Sequence, residues 1–278
     1  MSTNELLGNL PDARLLIINA DDFGMCHTVN EATMYALKQG MATSCTLMVP
    51  CPWSLHGLRL LKENPDIPFG VHLTAVSEWT DYRWGPVTPR QKVPSLVDEA
   101  GYFYGGERID EFVQQVNLAE LESEFRAQIE VVFASGLKPT HLDSHCGVHD
   151  RRDDVFEMTF GLAREYGLAL RMSERPWITK LQAQGYPTND HPILDSYRIE
   201  TPEKPSVYRR LLHELPPGLS EWAVHPGTGT QELRAITSTW HVRQADFDFF
   251  TSQEAREVLT KEGIVLLNYH ILQNLWQA

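Results

Sequence analysis

The 278-residue sequence lacks several features that mark particular classes of protein. It has no apolar run long enough to span a membrane, and no basic region followed by an apolar core at its start. Lysine and arginine number 24 against 37 aspartates and glutamates, which leaves a formal charge of -13. Phosphate backbones and anionic membranes bind clustered basic residues. We therefore expect a cytoplasmic protein with neither a nucleic-acid nor a membrane partner.

Cysteine is also scarce, and no internal repeat or low-complexity segment is present. The four cysteines form no CxxC pair, so we expect reduced thiols. Cys146 lies in a histidine-rich segment, where a metal role competes with the more common role of a small buried hydrophobic residue. The hydrophobic content of 42% is enough for a sizeable core.

What the sequence does contain is an alternation of strand-like and helix-like segments. Strands are predicted at 15–20, 43–49, 69–75, 138–143, 168–172, 220–225 and 264–270. Helices are predicted at 29–39, 55–64, 118–135, 155–166, 207–214 and 252–262. About seven βα units in one domain spanning 1–278 favour an α/β fold of the TIM-like barrel type over an open sheet. The segments at about 76–110 and 173–205 are predicted to be irregular.

Polar side chains collect where four of these strands end. They are Asp21, Asp22, His72, His141, Asp143, His145, His149 and His225. In a barrel of parallel strands the chemistry lies on the loops after the strand C-termini. One such histidine is usually a core residue, but four strands with the same feature predict a site.

A carboxylate and two imidazoles can hold a divalent ion and leave positions open for water and substrate. Asp21 and Asp22 are adjacent, so along an extended chain they point in opposite directions, and only one is expected to be a ligand. The other would be a base or an orienting group. Alternatively, Asp22 would cap the helix that begins near Cys26. Such a ligand set suits zinc, manganese or cobalt better than magnesium.

Five motifs together resemble the YdjC/ChbG family of carbohydrate deacetylases, which are relatives of the NodB-type polysaccharide deacetylases. The motifs are NADDFG, GVHLT, PTHLDSH followed by VH, AVHPG and GIVLLNYH, spread over about Leu15 to Leu272. The resemblance implies a distorted (β/α) barrel and a divalent cation, commonly magnesium. It also implies hydrolysis of the N-acetyl group of acetylated amino sugars such as chitooligosaccharides.

The same resemblance implies roles for individual residues. Asp22, His72 and His145 match the metal ligands, Asp21 the general base, and His225 the general acid. The chain departs from the family where members often read SHHHVH, because Cys146 and Gly147 stand in place of two histidines.

Other polar residues have two interpretations each. Asp143 would orient a ligand histidine or tie down its loop, and His141 is expected to be structural or to lie behind the ligands. His149 is a further candidate of this kind. Arg171 is either a contact to a substrate carbonyl or hydroxyl or a salt-bridge partner.

The insertion is rich in aromatic residues, among which Trp79 and Trp84 are candidates to stack on sugar rings. Packing within the loop is the alternative for each. Other functions open to such a chain are a different metal-dependent amide hydrolase, a sugar isomerase or a non-catalytic sugar-binding protein. A homodimer is expected only because twofold symmetry is common.

Overall fold

The computed structural model describes residues 3–277, which form one α/β domain with eight strands and twelve α-helices. The strands are β1 (Arg14–Phe23), β2 (Ser44–Leu47), β3 (Phe69–Leu73), β4 (His141–Ser144), β5 (Ala169–Leu170), β6 (Leu194–Asp195), β7 (Gly218–Val224) and β8 (Val265–Leu266). The helices are α1 (Thr3–Leu6), α2 (His27–Gln39), α3 (Ser54–Glu63), α4 (Ile109–Gln115), α5 (Leu118–Ala134), α6 (Asp153–Tyr166), α7 (Arg175–Ala183), α8 (Lys204–His213), α9 (Gln231–Ile236), α10 (Trp240–Phe250), α11 (Gln253–Glu262) and α12 (Tyr269–Trp276). None of the described helices combines the length and apolarity needed to cross a bilayer.

All strand pairs are parallel, and the sheet runs in the order β5-β4-β3-β2-β1-β7-β6. Strand β1 lies at its centre, and every residue of β1 after Arg14 is buried. A strand covered on both faces needs a nearly continuous apolar sequence, which RLLIINA supplies. The short strand β8 pairs with the first half of β1. It lies on the same side of β1 as β2, which pairs with the second half.

The curled sheet is a half-barrel that stays open between β5 and β6, and side chains fill this gap. The Asn189 amide donates to the carbonyl of Met172 and accepts from its backbone N–H, at 2.7 and 3.2 Å. Helix α12 lies nearby, where the Trp276 indole donates to the carbonyl of Pro187. The predicted distorted TIM-like barrel is therefore confirmed.

Two predicted segments differ from the structure, and two helices were not predicted after β7. The segment 173–205 is not wholly irregular, because it contains α7 and β6. The strand predicted at 264–270 is limited to β8. Asn268 ends it, since its side chain accepts from the backbone N–H of His270 and caps α12. Helices α9 and α10 follow β7 where no helix was predicted.

The insertion at 76–110 contains only short 3₁₀ turns, as predicted, until α4, which was not predicted, begins at Ile109. It is anchored by a buried carboxylate from α5. Glu124 accepts from the backbone N–H groups of Val87 and Thr88 at 3.0 and 2.9 Å. Burial raises the pKa of Glu124, although these hydrogen bonds oppose the shift. The base of this loop is thus fixed to the barrel wall.

Candidate active site

A cavity of about 680 Å³ opens at the C-terminal ends of β1, β3, β4 and β7. Its wall includes Asp21, Asp22, His72, His145 and His225. Five of the eight polar residues predicted at the strand ends therefore meet around one cavity. Such a volume is typical of a site for a small molecule.

Both adjacent aspartates face this cavity, contrary to the prediction that they point in opposite directions. The pairing of β1 with β2 shifts register between Ala20 and Phe23, as in a β-bulge. Asp22 has a φ of 67°, in the left-handed region that non-glycine residues rarely occupy. This local turn redirects the second carboxylate into the site. The helix-capping alternative for Asp22 is wrong, because Cys26 occupies the N-cap of α2 and makes no side-chain cap.

The two oxygens of Asp22 have different surroundings. Oδ2 accepts from Nη2 of Arg243 at 2.5 Å. Oδ1 is buried and has no hydrogen-bond partner among residues 3–277; it lies 3.4 Å from Nε2 of His72 and 3.2 Å from Nδ1 of His145. A buried anionic oxygen facing two imidazole nitrogens fits a divalent cation, which would satisfy all three atoms at once. Burial would raise the pKa of Asp22, but the charge of Arg243 and the nearby imidazoles hold it well below the ordinary value.

Each histidine is oriented by a carboxylate on its far nitrogen. His72 Nδ1 is 2.7 Å from Oδ1 of Asp143, and His145 Nε2 is 2.7 Å from Oε2 of Glu78. Such contacts fix the imidazole tautomer so that the other nitrogen presents its lone pair. Asp143 therefore lies where it can orient a ligand histidine, which is one of the two roles predicted for it. Glu78 was not predicted, because it lies in the irregular insertion outside every motif.

Asp21 is held by a buried arginine from the end of β5. Arg171 donates to both oxygens of Asp21, at 2.8 and 2.7 Å, and Asn19 donates to Oδ1 at 2.7 Å. Burial would raise the pKa of Asp21, but Arg171 outweighs it and lowers the pKa. Arg171 also lies 2.8 Å from Asp143 and 3.4 Å from Glu221. The salt-bridge interpretation of Arg171 is confirmed, and two arginines relieve the repulsion between the adjacent aspartates.

His225 lies at the opposite wall, with Nε2 4.0 Å from Oδ2 of Asp21. Its Nδ1 is 2.9 Å from the Ser196 hydroxyl. Burial lowers the pKa of His225, although the nearby aspartates oppose the shift. Its backbone N–H donates to Asp246 at 2.8 Å, so α10 fixes the loop after β7.

The YdjC-like protein family matches residues 15–261. This chain belongs to the YdjC-like family. A carbohydrate deacetylase of Enterococcus faecalis is 34% identical over 92% of this chain and 97% of its own length. Another, from Thermus thermophilus, is 35% identical over 94% of this chain and 95% of its own. A chitooligosaccharide deacetylase of Yersinia enterocolitica is 33% identical over 63% of this chain and 64% of its own.

Solved structures also resemble this YdjC-like protein. One, from Enterococcus faecalis V583, is of a protein with a proposed role in cellobiose-phosphate cleavage. It has a TM-score of 0.80 and 32% identity, over 94% of this chain and 99% of that chain. A peptidoglycan N-acetylglucosamine deacetylase has a TM-score of 0.50 and 11% identity, over 93% of this chain and 87% of its own. That second likeness concerns the fold alone.

The two other histidine candidates of this YdjC-like protein, His141 and His149, lie behind the cavity. The ring of His141 stacks on Tyr269 with centroids 3.5 Å apart, and burial lowers its pKa to about 3. Gly70 is required beside it, because an added Cβ would lie 2.7 Å from the imidazole. His149 is buried between the Ser144 hydroxyl at 2.6 Å and the carbonyl of Arg171 at 2.8 Å. Both therefore support the strands that carry the site.

The two tryptophan candidates are in different positions. Trp79 lines the cavity and lies edge-on to Trp84. Trp84 is buried at 2% exposure, and its indole donates to the carbonyl of Val76. The packing interpretation thus fits Trp84, whereas Trp79 can contact a ligand. Tyr197, which no motif marks, lines the opposite side and lies edge-on to His225.

Proposed function

We propose that this YdjC-like protein is a metal-dependent deacetylase of acetylated amino sugars or short chitooligosaccharide-like chains. One observation carries the proposal. Oδ1 of Asp22 is unpartnered between two oriented imidazoles, and a second carboxylate, Asp21, faces the same cavity. The deacetylase names of relatives that align over nearly the whole chain support the choice of reaction.

Asp22 Oδ1, His72 Nε2 and His145 Nδ1 would hold the divalent ion. Such an ion lowers the pKa of a bound water and polarises an amide carbonyl. Arg243 keeps the other oxygen of Asp22 engaged, so that only one carboxylate oxygen is available as a ligand. Two imidazoles favour zinc, manganese or cobalt, and magnesium is the choice that the family resemblance implies.

Asp21 is suited to accept the proton of the attacking water. Its Oδ2 receives one hydrogen bond, from Arg171, and lies 4.0 Å from Nε2 of His225 on the cavity wall. The lowered pKa keeps this carboxylate ionised at neutral pH, so it is ready to accept a proton. General-base catalysis of this kind contributes about 10²- to 10⁴-fold to the rate.

His225 is suited to protonate the amine that leaves. Because its pKa is lowered, it is neutral before the reaction and can receive a proton from Asp21, 4.0 Å away. The Ser196 hydroxyl and Tyr197 ring hold the imidazole edge toward the cavity. The proton can then pass from Nε2 to the amide nitrogen as its bond to the acetyl carbon breaks.

The test combines elemental analysis of the purified protein with acetate release from N-acetylated mono- and disaccharides. Asp21→Asn should retain the metal and lose acetate release by at least about 100-fold. Asp153→Asn is the matched control, because that exposed aspartate lies outside the cavity wall and should keep full activity. No bound metal together with no acetate release would refute the proposal. A sugar-binding protein would instead bind these sugars without releasing acetate.

A further inference from the structure

A second group of metal-ligating side chains lies on the far side of His145 from Asp22. Glu78, His145 and Cys146 each offer one ligand atom, and these three atoms lie within 4.8 Å of one another. Within this group, Nε2 of His145 is 2.7 Å from Oε2 of Glu78. The Nδ1 atom of the same ring faces Asp22. One imidazole thus borders two different sets of possible ligands.

The thiol in this group is accessible, unlike the other cysteines. Cys26, Cys45 and Cys51 are buried, and Cys146 is exposed, so its expected role as a buried hydrophobic residue is wrong. Cys146 has a φ of 56°, and Asp22 is the other non-glycine residue with a positive φ in the part of the chain described. Strained backbone of this kind gathers at functional sites. Here it places a thiol beside a candidate metal ligand.

From this geometry we propose that Glu78, His145 and Cys146 bind a thiophilic divalent cation such as Zn²⁺ or Cd²⁺. Thiolate, imidazole and carboxylate are the three protein ligands of zinc, with bonds of about 2.0–2.3 Å. A tetrahedral ion with such bonds needs donors about 3.3–3.8 Å apart. Oε2 of Glu78 must therefore move back from its 2.7 Å contact with Nε2 of His145 to admit the ion. The exposed Cys146 side chain can turn to meet the same spacing, and water would fill the fourth position.

Occupation of this site should compete with a cation at Asp22, His72 and His145. A neutral imidazole has one lone pair, because its other nitrogen carries the proton. A cation on Nε2 requires that proton to move to Nδ1. The Nδ1–H group can then donate a hydrogen bond to Oδ1 of Asp22, 3.2 Å away. The thiol releases its proton to solvent as the metal–sulfur bond forms. His145 then no longer has a lone pair to offer on the Asp22 side.

A third group, His27, Glu31 and His56, has similar spacing. Its hydrogen bonds, however, keep a proton on the nitrogen that would have to bind the cation. The Asn30 carbonyl oxygen accepts from the N–H of Gly24, so its amide nitrogen donates to Nδ1 of His56. The neutral His56 must therefore carry its proton on Nε2, the atom that faces Glu31. His145 has a carboxylate beside each ring nitrogen, so its proton can lie on either one. We therefore assign the cation site to the Cys146 group and not to the His56 group.

The first test is a Cd²⁺ titration of the full-length protein, followed by ultraviolet thiolate-to-cadmium charge-transfer absorption. The wild type should develop this band with saturation at one thiolate-bound ion per chain. Cys146→Ser should lack the band while keeping its fold, because the residue is exposed. A wild type without the band, or a band of equal size in Cys146→Ser, would overturn the site.

The second test starts from protein loaded with Mn²⁺ and measures its release by electron paramagnetic resonance. Cd²⁺ should release Mn²⁺ from the wild type as the band develops, and Cys146→Ser should need at least about tenfold more Cd²⁺. Retention of Mn²⁺ at a saturated band would refute the competition. This part rests on the cation proposed at Asp22, whereas the charge-transfer band depends neither on it nor on acetate release.

Discussion

Lys204 of α8 offers a direct test of how the loop after β7 is supported. Its side chain is completely buried, and Nζ lies 2.6 Å from Oδ1 of the equally buried Asp246. Asp246 also accepts from the hydroxyl of Tyr208 at 2.5 Å and from the backbone N–H of His225 at 2.8 Å. One carboxylate thus joins α8, α10 and the candidate acid. Lys204→Met removes the cation and keeps most of the apolar stem.

The expected cost follows from what remains after the change. Asp246 would be left as a buried anion without its cation, and breaking a buried pair in this way costs about 3–5 kcal/mol. An unfolding entropy of about 2 cal/mol/K per residue gives about 0.6 kcal/mol per degree for a chain of this length. The melting temperature should therefore fall by about 5–9 °C.

The matched control is Arg209→Met on the same helix. Arg209 pairs with Glu254 at 2.6 Å, but the two side chains are 44% and 53% exposed. Exposed pairs contribute at most about 1 kcal/mol. Thermal melts and urea unfolding at neutral pH compare the two variants. Equal melting temperatures for Lys204→Met and Arg209→Met would refute the role of the buried pair.

Four other substitutions test other parts of the structure. His225→Gln should lower kcat by about 10²- to 10⁴-fold with unchanged metal content, and full activity would contradict its role as the acid. Trp84→Ala should cost about 3–5 kcal/mol in urea unfolding. Trp79→Ala should mainly raise KM for acetylated disaccharides. A large loss of stability in Trp79→Ala together with a raised KM alone in Trp84→Ala would contradict the positions of the two side chains. Burial raises the pKa of Glu221 from 4.5 to about 8, so the folded state binds this proton more tightly. The unfolding free energy of the wild type relative to Glu221→Gln should therefore fall as pH rises through that interval, and a constant difference would disprove the shift.

The central strands and the polar residues at their ends were predictable because each signal is local. The apolar run before Asp21 needs no knowledge of distant residues, and parallel strands bring His72, His145 and His225 to the same end. The direction of Asp22 was not predictable, since it depends on a bulge and a positive φ that the pattern of side chains does not reveal.

The charge partners could not be predicted for a different reason. Arg243 bonds to Asp22 from 221 positions away, and it lies in α10, where no helix was predicted. Glu78 reaches His145 from an irregular loop. Contacts of this kind depend on tertiary packing, and no spacing in the sequence encodes them. The start of α12 was missed because Ile264 to Leu267 is apolar enough to be taken for a longer strand.

The link from Tyr269 to the site has a consequence for synthesis of the protein. Tyr269 stacks on His141 and donates to Glu221, which lies against Arg171, the partner of Asp21. A chain emerging from the ribosome presents Asp21 long before Tyr269. Strand β1 must likewise wait for β7 and β8 before its neighbours are complete. The nascent chain therefore exposes an unfinished, aggregation-prone sheet until α12 has left the exit tunnel.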